Sequence, residues 1–392
     1  MNTLVVLIEG LARYVGWWFG ALARWRDPRA PMSVRRLGVL MIAMPVFFIV
    51  QLVHAICLLL DEILFPRYRR ASLDGALIIT GIPRSGTTFL HRTLARDTRH
   101  YTTLTTWEGV LAPSILQRHM VRGLRRLDRR LGRPVGRGLA GLTRRLAGGL
   151  DAVHEIGLDA AEEDYLALLP AAGCFVMLLA FPSAPGLQAL GQFERAVPAR
   201  RRRRLLRFYR NCLQRHIHAD GGRRRLLSKN AAFGPWLPGL RETLPEARFI
   251  LCVREPRQAL SSQISSVSAA RSLFGTATDS AAFQRIFLDM YKVTLEDLAR
   301  TLRDWPIDRA ALIDLADARA EPAAVIREAM RRLGIPGHHS LEAALDRLGR
   351  HSESTHRHSV TDLAIDVMTL DEHMNPGYQR LLTLPHRVRR PS

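Results

Sequence analysis

The sequence predicts an α/β protein with two parts. Residues 71–392 form one three-layer domain, a short central parallel sheet flanked by helices, behind a membrane-associating helical region at 1–70. Three observations carry this. An apolar run, Ala76–Thr80, meets a Gly-Pro-rich turn, and a helical pattern opens at Gly86. A second buried-strand pattern, Ala247–Val253, is again followed by a helical run. Ahead of both, Leu37–Leu60 contains no formally charged residue. Strands alternating with helices imply a parallel sheet, and 392 residues supply ample core for it.

In the first region, Thr3–Ala23 is apolar but interrupted by Glu9 and Arg13, with Trp17, Trp18 and Trp25 near its end, as in an interfacial helix. Leu37–Leu60 would measure about 36 Å as a helix, enough to span a bilayer. Arginines flank it on both sides, however (Arg35 and Arg36 before, Arg67, Arg69 and Arg70 after), which a simple span cannot reconcile with the positive-inside rule. Pro45, Gln51 and His54 suit a broken, monotopic arrangement equally well. No basic leader and cleavage site argue for a removed signal peptide.

The turn after Ala76–Thr80 has Walker A spacing at Gly81 and Gly86, with Thr88 at the hydroxyl position. The lysine position holds Thr87, so the group that reaches the terminal phosphates of a nucleoside triphosphate is missing, and Arg84 is the loop's cation. A strand, a tight loop and a helix N-terminus still make an anion site. After the second strand, Arg254 and Ser262 are spaced to grip one phosphate through a guanidinium fork and a hydroxyl. Pro83–Thr88 (P-R-S-G-T-T) and Arg254–Ser262 (R-E-P-R-x-x-x-x-S) together resemble the 5′-phosphosulfate loop and 3′-phosphate motif of the sulfotransferase superfamily. Leu227-Ser-Lys-Asn230 and Leu244-Pro-Glu-Ala-Arg-Phe249 are similar to patterns of its bacterial and tyrosylprotein branches. The resemblance covers about residues 75 to 365. It implies a P-loop-like fold, 3′-phosphoadenosine 5′-phosphosulfate as co-substrate, and a hydroxyl acceptor. Arg84, Ser85, Gly86, Thr87 and Thr88 would hold the 5′-phosphosulfate, and Arg254 and Ser262 the 3′-phosphate.

The remaining elements follow in order. Glu108, in Leu104-Thr-Thr-Trp-Glu108 near a strand's carboxyl end, is the first candidate for general base, because the acceptor hydroxyl must lose a proton as the sulfur–oxygen bond forms. Val121–Leu150 is a basic, Gly-rich insertion whose Leu124, Leu127 and Leu131 keep helical spacing, suiting a surface helix or lid. His154 opens an H-x-x-x-x-x-x-x-E-E signature like that of bacterial relatives and is the second candidate base. A lone histidine there excludes an H-E-x-x-H zinc site. Pro170–Pro185, with Phe175, Met177 and Phe181, is core or an acceptor wall. The arginine runs 200–204 and 223–225 bracket a helix through Phe208–His216 and read as solvated faces.

Lys229 stands out, since Lys292 is the only other lysine among 57 basic residues. The resemblance gives it the role of neutralising the bridging oxygen as the nucleotide leaves. Asn230 follows where relatives carry proline or histidine. Beyond Ser262 the chain reads helical to Arg303, then as a strand at Ala310–Leu315 and a short helix at Leu341–Gly349. His351, His356 and His358 fit a nucleotide-proximal segment of the family better than a metal site, with Arg357 a further phosphate contact.

The net charge of +21 suits a polyanionic nucleotide and an anionic membrane surface. No zinc-finger, RNA-recognition or basic-zipper pattern supports nucleic acid. Four scattered cysteines fit a reduced, cytosol-facing site. The expectation is therefore a metal-free sulfotransferase at the inner membrane, facing the cytoplasm and acting on a lipid or other amphiphile. The alternatives are a membrane-associated P-loop kinase, which would need the absent Walker lysine, and a non-catalytic nucleotide-binding scaffold.

Overall fold

The computed structural model describes residues 2–132, 160–268, 273–277, 280–348 and 367–389. Six parallel strands form the sheet: β1 (Leu77–Gly81), β2 (Tyr101–Thr102), β3 (Arg225–Lys229), β4 (Arg248–Val253), β5 (Ala310–Asp314) and β6 (Arg387–Val388). Their order is β2-β3-β1-β4-β5-β6. The inner strands are apolar throughout because both faces are covered. Alternate residues feed different cores: Ile78, Phe249 and Leu251 join one cluster, while Leu77, Ile79 and Ile250 join the other. This is the expected three-layer α/β arrangement.

β1 sits centrally, in register with β3 (Ile79 opposite Lys229) and with β4 (Gly81 opposite Cys252). The carboxyl ends of these three strands therefore open on one crevice, where open α/β sheets bind ligands. The block around Glu108 follows β2 as foreseen, but its later part is helical (Thr106–Val110).

At the N-terminus, helix α1 (Asn2–Ala23) is followed by α2 (Val34–Gly38), a π turn (Val39–Ala43) and α3 (Met44–Leu64). The π turn ends two residues before Pro45, whose ring needs room in the preceding turn. Two helical stretches, Asn2–Ala23 and Val34–Leu64, are long and apolar enough to cross a membrane. Both nevertheless pack on the body. Tyr14 donates to Leu169 O at 2.6 Å, and Trp18 Nε1 to Leu40 O at 2.8 Å. A Cβ at Gly10 would lie 2.4 Å from Pro170 O, so only glycine allows α1 to sit this close. Asp61 of α3 accepts from Ile115 N, Leu116 N and Arg215 Nε at 2.8, 3.0 and 3.1 Å. Val6, Leu7, Tyr14, Leu40 and Leu58 thus belong to the same cluster as the sheet's Phe249.

Three further helices follow α3 in this part of the chain: α4 (Thr87–Leu94), α5 (Thr106–Val110) and α6 (Ile115–Arg130). Helix α6 carries Leu124 and Leu127, both exposed; the rest of the basic insertion, 133–150, lies outside the described residues.

Candidate active site

The loop between β1 and α4 is held by backbone necessity and by clamps. Gly81 has φ 139°, and a Cβ there would stand 1.9 Å from Cys252 O. Gly86, the N-cap of α4, has φ 88°, and even Arg84 is left-handed at φ 63°. Ser85 Oγ donates to Ile82 O at 2.6 Å, and Tyr291 Oη donates to Pro83 O at 2.8 Å. The first-turn amides of α4, with no intrahelical acceptor, converge on the loop's mouth.

Arg84 Nε donates to Ser262 Oγ at 3.0 Å, joining the loop to the helix Pro256–Val267. From the end of β4, Arg254 donates to Arg84 O at 3.3 Å and to Gln258 Oε1 at 3.1 Å, while its Nε is buried without a partner. Burial, then the guanidinium groups of Arg319 and Arg84, push the Arg254 pKa down. Glu255, the nearest carboxylate in sequence, is occupied capping its own helix through Arg257 N and Gln258 N. Arg84 and Arg319 thus stand close enough to Arg254 to lower its affinity for a proton, a concentration of positive charge suited to an anion.

These residues line a cavity of about 1950 Å³. Arg84, Gly86, Thr87, Thr88, Arg254 and Lys229 all face it; Ser85 and Ser262 are buried behind it. Lys229 ends β3, with Nζ 2.8 Å from Glu163 Oε1 and 4.0 Å from Glu162 Oε1. The local geometry left open by Asn230 has a simple form: its Oδ1 accepts from Ala232 N at 2.9 Å, capping a 3₁₀ turn where proline is absent. Asp164, next to Glu163, is fully enclosed near Ser228 and Tyr209, and burial pushes its carboxyl up to about 7. Phe175, Val176, Leu179, Phe287 and Met290 give the same cavity an apolar wall. Of the aromatic and Met residues expected there, only Phe175 reaches the cavity; Met177 and Phe181 are core.

Glu108 does not line the cavity. It caps its own helix, accepting from Thr105 N at 3.2 Å, and faces Arg118 at 3.7 Å, Arg122 at 3.8 Å and His216 at 3.5 Å. Burial alone would raise its pKa, but Arg118 and His216 hold it well below the usual carboxylate range. His154, like His351, His356, Arg357 and His358, lies outside the described residues. Sequence reasoning assigned no role to Glu163, Arg319 or Tyr291. Glu163 was visible as half of the E-E pair, whereas no spacing marks Arg319 or Tyr291. Among the described residues no cluster of metal-ligating side chains occurs.

A family model described as the sulfotransferase family matches residues 76–339. Among solved structures, sulfotransferase STF1 from Mycobacterium tuberculosis H37Rv is similar at TM-score 0.69 and 18% identity, covering 94% of this chain and 92% of that one. Sulfotransferase STF9 from Mycobacterium avium is similar at TM-score 0.69 and 18% identity, covering 98% and 97%. At that identity the likeness concerns the fold. No curated protein matches the chain.

Proposed function

From the premise that this chain belongs to the sulfotransferase family, we propose that it moves a sulfonate from 3′-phosphoadenosine 5′-phosphosulfate to the hydroxyl of an amphiphilic acceptor. The observation that carries the reading is the convergence of Arg84, Arg254 and Ser262 at a cavity that Lys229 also lines. Ser85, Gly86, Thr87 and Thr88, with Arg84, bind the 5′-phosphosulfate through amides, hydroxyls and one guanidinium. Arg254 and Ser262 bind the 3′-phosphate, and the partnerless Arg254 Nε is a donor available to it.

In the reaction, the acceptor oxygen bonds to sulfur as the bond from sulfur to the 5′-phosphate oxygen breaks. The negative charge left on that phosphate is met by Lys229, an interaction that strengthens as the bond breaks. The acceptor's proton goes to a carboxylate, and Glu163 is the one we assign. It lines the cavity beside Lys229, whereas Glu108 is enclosed by cations elsewhere. Positioning and charge stabilisation do most of the work, as in phosphoryl transfer, and the side chains named supply the cations without a metal. The apolar wall from Phe175 to Met290 favours a lipid or other amphiphile as acceptor. The free cysteines and the two N-terminal apolar stretches fit an inner-membrane enzyme facing the cytoplasm.

The test is thermal stability of the full chain with 3′-phosphoadenosine 5′-phosphate, against ATP with Mg²⁺, in the wild type and in Arg254→Ala. A ligand bound only by the folded state raises the transition temperature. The expected result is a rise with the bisphosphate alone, lost in the variant. A rise with Mg²⁺-ATP alone would replace this reading with a kinase.

A further inference from the structure

Helix α3 is built inside out for a helix in water. Its polar residues Gln51, His54 and Asp61 are buried against the body. His54 Nε2 lies 3.0 Å from Val110 O and its Nδ1 is 2.8 Å from Gln117 Nε2; Asp61 holds the N-terminus of α6 and the buried Arg215. The side turned away from the body is apolar: Val46, Ile49, Val53, Ile56, Leu60 and Ile63 are all exposed, and no charged residue of α3 is exposed with them. Helix α1, packed beside α3, repeats the pattern, with Val6, Gly10 and Tyr14 inward and Leu4, Ile8 and Phe19 outward. Helix α6, tied to α3 through Asp61 and the stacking of Phe65 on His119, adds exposed Met120, Leu124 and Leu127. A soluble surface helix turns its polar side to water; α1 and α3 turn it to the protein, and α6 sets its exposed leucines beside the exposed Arg126, Arg129 and Arg130.

We infer that α1, α3 and α6 form a monotopic seat, lying in the plane of one leaflet of an anionic bilayer with none of them crossing it. Two features choose this geometry. Both long helices are tied to the body, α1 through Tyr14 on Leu169 and α3 through Asp61 on Arg215 and Ile115, while Trp18 on Leu40 ties the two stretches to each other, so a crossing would have to break buried contacts. Arginines also stand at both ends of the apolar face, Arg26 and Arg35 before it and Arg67 and Arg70 after it, all exposed. A crossing would place those two groups on opposite sides of the membrane; lying flat, both reach headgroups of the same leaflet. Trp25, exposed with the Arg26 guanidinium 4.4 Å over its ring, fits the headgroup level.

The same charges argue against a second copy as the occupant. Pairing two such faces would bring two basic rims together in a chain of net charge +21, whereas acidic lipid neutralises them. The inference stands apart from the donor chemistry above.

The full chain, in a Cys57→Ser background, carries either Val34→Cys or Arg67→Cys, one at each end of the helical stretch. Sealed membrane vesicles of both orientations from expressing cells are treated with an impermeant maleimide. Both positions are expected to label from the same side. Labelling from opposite sides would establish a span and overturn the inference. In parallel, the purified chain is floated with phosphatidylcholine vesicles with and without phosphatidylglycerol. Binding is expected to be stronger with the anionic lipid and to weaken with salt. Ile49→Glu/Ile56→Glu should lower vesicle partitioning on the order of a hundredfold. Its thermal transition, followed without nucleotide, should stay near that of the wild type, showing that the fold is intact. An unchanged partition in this variant, or a wild type that ignores vesicles and instead self-associates, overturns the proposal.

Discussion

At the scale of single residues, the two glutamates at issue differ in what surrounds them rather than in what they are. Glu163 touches a lysine in an open cavity; Glu108 is closed in by Arg118, Arg122 and His216. Glu163→Gln should lower kcat by about 10²–10⁴ with little change in thermal stability. Glu108→Gln should do the reverse. It leaves Arg118 buried without its anion, a loss of roughly 3–5 kcal/mol, while the folded fraction keeps its turnover. The pH dependence separates them further. The folded Glu108 carboxyl lies below its ordinary value, so its contribution is complete at neutral pH and is lost as pH falls below about 4. Thermal melts across that range should show a shallower acid decline for Glu108→Gln; an equal slope would remove the network from the account. The loop from Gly81 to Thr88 was legible as a turn because it is one contiguous stretch between a strand and a helix, while Arg254 and Ser262 could be paired only by their spacing across the start of the next helix. Glu108 was misleading because a sequence does not say which way a carboxylate turns. Thr105-x-x-Glu108 nonetheless has capping-box spacing, and the structure forms its glutamate half, with Glu108 accepting from Thr105 N.

Whole elements were easier to read than their contacts. Strands buried on both faces announce themselves as apolar runs, and β1, β4 and β5 fall within a residue of where the runs put them. The 3₁₀ segments Asp164–Ala171 and Phe175–Leu179 carry no periodic signal, so the cavity's apolar wall could be named only as a stretch. Their placement depends on α1, which leans on Pro170 at Gly10. Gly10→Ala introduces a Cβ where backbone already stands, at a cost of about 1–3 kcal/mol. The expected result is a lower melting temperature and faster proteolysis within residues 2–23; unchanged melting would show that α1 can shift freely.

For the molecule as a whole, composition pointed to a membrane and a polyanion, and the paired arginine flanks argued against a simple crossing. What the sequence could not show is that residues 1–70 and the sheet share one core. Asp61 and Glu62 are the anions of Arg215, whose side chain is fully buried on the helix Ala199–Asp220. Deleting residues 1–70 would strand that cation and uncover Leu168, Leu213 and their neighbours. Such a truncation should be insoluble or bind hydrophobic dye at room temperature. A soluble truncation with a sharp thermal transition would show that the two parts fold separately.

The hydrogen bond from Tyr14 to Leu169 O has one more implication. The carbonyl it grips belongs to the turn that begins directly after Glu163, so the helix proposed to lie in lipid also steadies the carboxylate beside the lysine. Specific activity then becomes a record of handling. A preparation stripped too harshly of its lipid would retain its circular dichroism while its turnover aged, and two laboratories with identical chains and different detergents would report different enzymes.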